Sequence, residues 1–113
     1  MNEPIEIRYL DESNAGPPVL AVRGEIDAEG SREIRSRVLE LSDQGHECVV
    51  LDLNQVDLLA STGVGTLLLL TETLRNKGQR FVLRDVSDTV RQVIGLLNLN
   101  AFLDIEDTTP SAP

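Results

Sequence analysis

Three groups of residues in the sequence are of types that do chemistry. They are the hydroxyls Ser61 and Thr62 with the glycines Gly63 and Gly65 behind them, the carboxylate Asp27 in Gly24-Glu25-Ile26-Asp27, and the pair His46 and Cys48. Gly63-Val64-Gly65 lies where a nucleotide-binding glycine loop would lie. A dinucleotide loop needs a third glycine three residues after the second, and Leu68 occupies that position. A phosphate-binding loop needs Lys and then Ser or Thr after its last glycine, and Thr66-Leu67 follows instead. His46 is the sole imidazole. A nucleophilic serine and its base must lie about 3 Å apart, whereas residues 48–53, read as a strand at about 3.3 Å per residue, hold His46 and Ser61 roughly 17–20 Å apart. That spacing excludes a Ser–His hydrolase and leaves His46 as a polar loop residue. One Cys with one His makes neither an internal disulfide nor a zinc cage, so Cys48 reads as a small buried residue at a strand start. No cofactor, no metal and no enzymatic activity are expected.

Asp27 and Ser61 remain, each following an expected strand and leading into an expected helix. The ordinary role of Asp or Ser there is capping, because the side-chain oxygen satisfies a free N–H of the first turn. Ser61 also suits a second role. A phosphate on it would bring about −1.5 to −2 charge to the positive end of a helix dipole and accept from unpaired backbone N–H groups. Gly63 and Gly65 have no Cβ, so a partner could approach closely.

The chain has 113 residues, about one domain, and Leu, Val, Ile and Phe make up about a third of it. That is well above the roughly 20% below which disorder is expected. Acids outnumber bases 19 to 10, for a net charge of −9. Such a field repels phosphate backbones and anionic lipid surfaces, so neither nucleic acid nor membrane is an expected direct partner. The N-terminus MNEPIEIRYL has no apolar run, and Leu67 to Leu70 is far short of the ~20 residues of a membrane span. A cytoplasmic protein is expected.

Ile5, Ile7 and Tyr9 alternate with polar residues as in a half-buried strand, and residues 11–18 turn the chain into a second strand at 19–22. Ile34, Val38 and Leu41 fall at helical spacing from residue 28 to about 42, with Asp27 as N-cap and Gly45 beyond the end. Residues 48–53 form a buried strand. A second helix runs over about 62–77 and is closed by Gly78; its inward stripe is Val64, Leu67, Leu68, Thr71, Leu74 and Arg75. Residues 80–84 are the next strand, Ser87 caps a third helix with the stripe Val90, Val93, Ile94 and Leu97, and 103–105 form a short last strand. Residues 1–106 then form one domain of order β-β-α-β-α-β-α-β, an α/β fold with a mixed sheet and helices packed on it, and 107–113 a loose tail. The βαβ unit at 48–84 favours parallel strands with a right-handed crossover. The carboxyl edge of such a sheet is where ligands bind, and both Asp27 and Ser61 belong to it.

Gly24-Glu25-Ile26-Asp27, the passage from Val50-Leu51-Asp52-Leu53 to Ala60-Ser61-Thr62-Gly63-Val64-Gly65, and Ser87-Asp88-Thr89-Val90-Arg91-Gln92-Val93-Ile94 with Leu97 and Leu99 resemble a STAS domain of the anti-sigma factor antagonist family. The resemblance covers residues 5–105. It implies a bacterial regulator that, when unphosphorylated, binds an anti-sigma factor with serine kinase activity and so releases the sigma factor. It further implies phosphorylation at Ser61, with Thr62 the adjacent hydroxyl, reset by a PP2C-type phosphatase, and it places Asp27 on the neighbouring loop that faces the partner. Ala60 stands where the family commonly has Asp, and the family's final helix has no counterpart in residues 106–113. The alternative is a constitutive STAS subunit of a lipid-transport ABC complex or a stress-signalling scaffold.

Leu69 lies about 140° around the second helix from Val64, on the face of Thr66 and Thr73. An exposed Leu beside small polar residues and an acidic loop marks a partner patch. Asp27, Ser61, Thr62, Gly63, Thr66 and Leu69 are the expected partner-binding residues. The net acidity predicts that the partner's matching patch holds Arg or Lys.

Overall fold

The structure is a computed structural model that describes residues 5–10 and 16–106. Part of the expected turn, 11–15, and the expected tail, 107–113, lie outside the described residues. The elements are β1 (Glu6–Leu10), β2 (Val19–Ile26), α1 (Ala28–Asp43), β3 (Cys48–Leu59), α2 (Ser61–Asn76), β4 (Arg80–Arg84), α3 (Asp88–Leu96) and β5 (Asp104–Glu106). This is the expected order. The strands form one mixed sheet in the order β1-β2-β3-β4-β5. β1 and β2 are antiparallel, and the other neighbouring strands are parallel.

Each parallel pair is joined through a helix, and right-handed crossovers that step in one direction put every helix on the same face. The main core shows this. Ile34 and Val38 of α1, Leu67, Leu70 and Leu74 of α2, and Val90 and Ile94 of α3 meet Leu20, Val22, Leu51, Leu53, Phe81 and Leu83 of the sheet. The opposite face holds the small cluster Val19, Val50 and Val82, with no helical residue in it. Cross-strand ion pairs run over that face: Arg84 to Asp52 at 3.2 Å and Arg80 to Asp104 at 2.7 Å.

β2 and β3 run further than their patterning predicts, to Ile26 and Leu59 rather than 22 and 53. The reason is two irregularities in their pairing. Ala21 and Arg23 pair with Asp52 and Gln55, and Gly24 and Glu25 pair with Val56 and Leu58, so β3 carries one extra residue at each place. Bulges of this kind break the two-residue period. Leu53, Val56 and Leu59 are buried three apart instead of two.

The helices begin and end as their sequences predict. Asp27 caps α1 and accepts from Gly30 N at 2.8 Å; Ser87 caps α3 and accepts from Val90 N at 3.3 Å. Gly45 and Gly78 take positive φ values of 94° and 74° just past α1 and α2, a conformation open to glycine at no steric cost. Five side chains depart from expectation. The stripe of α2 centres on Leu67, Leu70 and Leu74 with Gly63 and Thr71, which turns Arg75 out to solvent and leaves Val64 and Leu68 half-buried. Leu97, the C-cap of α3, is 54% exposed although its N–H still bonds Val93 O at 3.1 Å. Tyr9 is 51% exposed on the edge strand, four residues beyond Ile5, whose Cδ1 packs against Gly30 of α1.

Candidate functional site

Parallel pairing of β2 with β3 sets Ile26 beside Leu59, and the chain leaves both strands at one edge of the sheet. Ala60 N donates to Ile26 O at 3.0 Å, which ties the start of α2 to the loop that starts α1. Asp27 is half-buried in that loop. Its Oδ1 accepts from Gly30 N at 2.8 Å, and its carbonyl accepts from Ser31 N at 2.8 Å and Ser31 Oγ at 2.7 Å. The carboxylate thus has a structural task at the edge where a partner role was expected for it.

Ser61 does not cap α2. It is the first residue of the helix, exposed, and Ala60 occupies the N-cap with no side-chain hydrogen bond. Thr62 is exposed beside it, Thr66 half-exposed, and Leu69 50% exposed. Gly63, expected among the partner-binding residues, is instead buried beneath the first turn. A Cβ there would lie 2.7 Å from Ile26 Cγ2 and 2.7 Å from Leu59 Cδ1. Its missing side chain lets α2 start against the ends of β2 and β3, and a partner cannot reach it.

Thr62, Gly65, Thr66 and Leu69 line one side of a shallow groove of about 270 Å³. Ala28, Ser31, Arg32 and Arg35 of α1 line the other. The structure thus brings three of the expected residues, Thr62, Thr66 and Leu69, into one groove, with Ser61 next to Thr62 at the start of α2. Arg32 and Arg35 were missed. Their signal is in the sequence: the four α1 positions fall at i, i+3, i+4 and i+7, the spacing that the four α2 positions repeat. Arg32 and Arg35 add two cationic side chains to a groove whose expected residues, Thr62, Thr66 and Leu69, are uncharged.

The groups at the far end of β3 take no part. His46 and Ser61 flank a strand of 12 residues, roughly 35 Å at the usual rise. Burial pushes the Cys48 thiol up, Arg80 pulls it down, and Glu106 and Asp104 add to the rise, which disfavours a nucleophilic thiolate. A larger hollow of about 410 Å³ lies on the helix-free face, lined by Glu6, Arg8, Arg23 and Asp52 among others and by none of the expected partner-binding residues. Among the described residues no group of three or more His, Cys, Asp or Glu is placed to hold a metal ion. No helix of the described residues is long and apolar enough to cross a membrane.

Two substitutions check the construction of this edge. Ala60→Asp supplies the absent cap and should raise unfolding stability by about 1 kcal/mol, read from the urea midpoint. Gly63→Ala forces a Cβ into the contacts with Ile26 and Leu59 and should cost about 1–3 kcal/mol, read the same way.

The STAS domain profile matches residues 10–112. BtrV of Bordetella bronchiseptica, a proposed anti-sigma factor antagonist, is 27% identical over 90 residues, 80% of this chain and 75% of that protein. Among solved structures, an anti-sigma factor antagonist from Mycobacterium paratuberculosis superposes with a TM-score of 0.79 at 24% identity, covering 96% of this chain and 92% of that one. The anti-sigma factor antagonist SpoIIAA in its unphosphorylated form gives 0.73 at 23% identity, covering 92% and 89%. The phosphorylated form of SpoIIAA, a Bacillus cell fate determinant, gives 0.69 at 22% identity, covering 92% of each chain. The fold is shared with these proteins, and the profile match spans nearly all of the sequence: the chain belongs to the STAS domain family.

Proposed function

We propose that this STAS domain is an anti-sigma factor antagonist, a cytoplasmic, non-enzymatic protein-binding switch. Unphosphorylated, it binds an anti-sigma factor that has serine kinase activity; a phosphate on Ser61 ends the interaction, and a PP2C-type phosphatase removes it. One observation carries the reading. Ser61 is exposed at the first position of α2, above an N-cap with no side-chain acceptor, and it adjoins a groove lined by Thr62, Thr66 and Leu69. A phosphate there meets the positive end of the helix dipole and leaves the fold intact. The names of BtrV and SpoIIAA support the partner class, and SpoIIAA is a protein with both an unphosphorylated and a phosphorylated form. Asp27 shapes the same edge through the α1 cap.

A second reading is a constitutive STAS subunit of a lipid-transport ABC complex or a stress-signalling scaffold, with no phosphorylation. Ala60 favours it, since the acidic residue common before the phosphoacceptor is absent.

Intact-mass analysis after incubation with the anti-sigma factor kinase and Mg-ATP separates the two. The wild-type chain should gain one phosphate and Ser61→Ala none, while Thr62→Val should behave as wild type. Ser61→Asp should weaken the complex by more than about a hundredfold, a loss of about 3 kcal/mol. A wild-type chain that stays unmodified, or a Ser61→Ala chain that gains as much, supports the constitutive subunit. In a calorimetric titration against the anti-sigma factor, Leu69→Lys should keep the fold, by circular dichroism, and weaken the complex; an unchanged dissociation constant removes Leu69 from the interface.

A further inference from the structure

The groove between α1 and α2 is cationic on a chain of net charge −9. Arg32 and Arg35 form its α1 wall, and neither makes an ion pair among the described residues, whereas Lys77, Arg80 and Arg84 each do. Gly65 adds a second observation. Glycine destabilises a helix interior relative to alanine, yet a Cβ at Gly65 would meet nothing within 4 Å. Packing therefore does not require this glycine, in contrast to Gly63. What the absent Cβ does is hold the groove floor down at the backbone, between the arginines and Leu69.

We infer that the groove receives an acidic amphipathic segment of the partner protein, with carboxylates paired to Arg32 and Arg35 and an apolar side chain laid over Gly65 against Leu69. The inference rests on the reading of this edge as a partner surface and adds the chemistry of the segment that occupies it. Charge complementarity selects the occupant. A second copy of the chain would also offer carboxylates, but it would bring a second net charge of −9 against the first. A partner that is acidic only in the docked segment meets no such repulsion. The arrangement also gives a phosphate on Ser61 a mode of action: it would set a dianion beside the incoming carboxylates and offer the two arginines a counter-ion within the same chain.

The test uses the full chain, labelled with nitrogen-15, and a synthetic peptide of about four helical turns built from Ala, Leu and Glu, with its Glu residues spaced four apart. Amide shifts should be confined to the first halves of α1 and α2. The Glu→Gln peptide, and the Arg32→Gln/Arg35→Gln variant against the original peptide, should each bind at least about tenfold more weakly. Added salt should weaken the wild-type complex. Gly65→Ala should melt at a higher temperature than wild type and yet bind the peptide more weakly. A peptide that leaves the groove amides unmoved overturns the inference, as does a Gln peptide, a double variant or a Gly65→Ala chain that binds as tightly. Dimerisation through the groove in analytical ultracentrifugation, undisturbed by the peptide, assigns the groove to a second copy and also overturns it. The peptide carries no kinase, so its failure leaves phosphorylation of Ser61 standing. Conversely, a chain never phosphorylated at Ser61 leaves a preference for Glu over Gln standing.

Discussion

The carbonyl of Ile26 is the point at which this edge is fixed. It ends β2, accepts from Ala60 N at 3.0 Å, and lies 3.1 Å from where a Gly63 Cβ would be. Three elements therefore converge on one peptide group: the loop into α1, the end of β3 and the first turn of α2. Parallel pairing brings Ile26 to Leu59 only because β3 absorbs two extra residues along the way. Without those bulges the two strand ends would be out of step by about two residues, roughly 7 Å. The positions of Ser61 and the groove are thus set by pairing irregularities in mid-sheet as much as by residues at the edge.

Net charge and local charge differ in this molecule. The chain is strongly acidic, but its basic residues are not evenly spread. Arg80 and Arg84 are used on the helix-free face, where they pair with Asp104 and Asp52 across neighbouring strands. Arg32 and Arg35 stand on α1 at the groove. A whole-chain sum describes the far field that a diffusing partner meets. Within a Debye length, about 8 Å at physiological ionic strength, the individual side chains decide.

The element order, the hairpin, the parallel βαβ unit and both acidic or hydroxyl caps at Asp27 and Ser87 were legible in the sequence, because each rests on local periodicity or on cap chemistry. The extent of β2 and β3 was not, since a bulge shifts the alternation from which a strand is read. The inward face of α2 was displaced for a related reason. Four consecutive leucines, 67 to 70, give little contrast between one side of the helix and the other, and only the depth of Gly63 shows which way it turns. At the site, exposure of Leu69 followed from its angle on the helix. The burial of Gly63 did not, because it depends on how the first turn of α2 meets the ends of β2 and β3. The helical spacing of Arg32 and Arg35 was visible, but that they face α2 depends on how the two helices pack, a relation between residues some thirty positions apart.

The bare N-cap of α2 bears on how a modifying enzyme would reach Ser61. A side chain engaged by an enzyme's active site usually has to leave regular helix, and the free energy of that local opening is part of the reaction's cost. Here the first turn has no side-chain clasp at Ala60; its backbone tie is Val64 N to Ala60 O at 3.0 Å. Gly63, wedged under the turn, stays anchored to Ile26 and Leu59. Opening of residues 61 and 62 would therefore break fewer contacts than opening from 63 onward. Such an opening would present the hydroxyls in extended backbone and withdraw Thr62 from the groove, while Gly65, Thr66 and Leu69 keep their places in it.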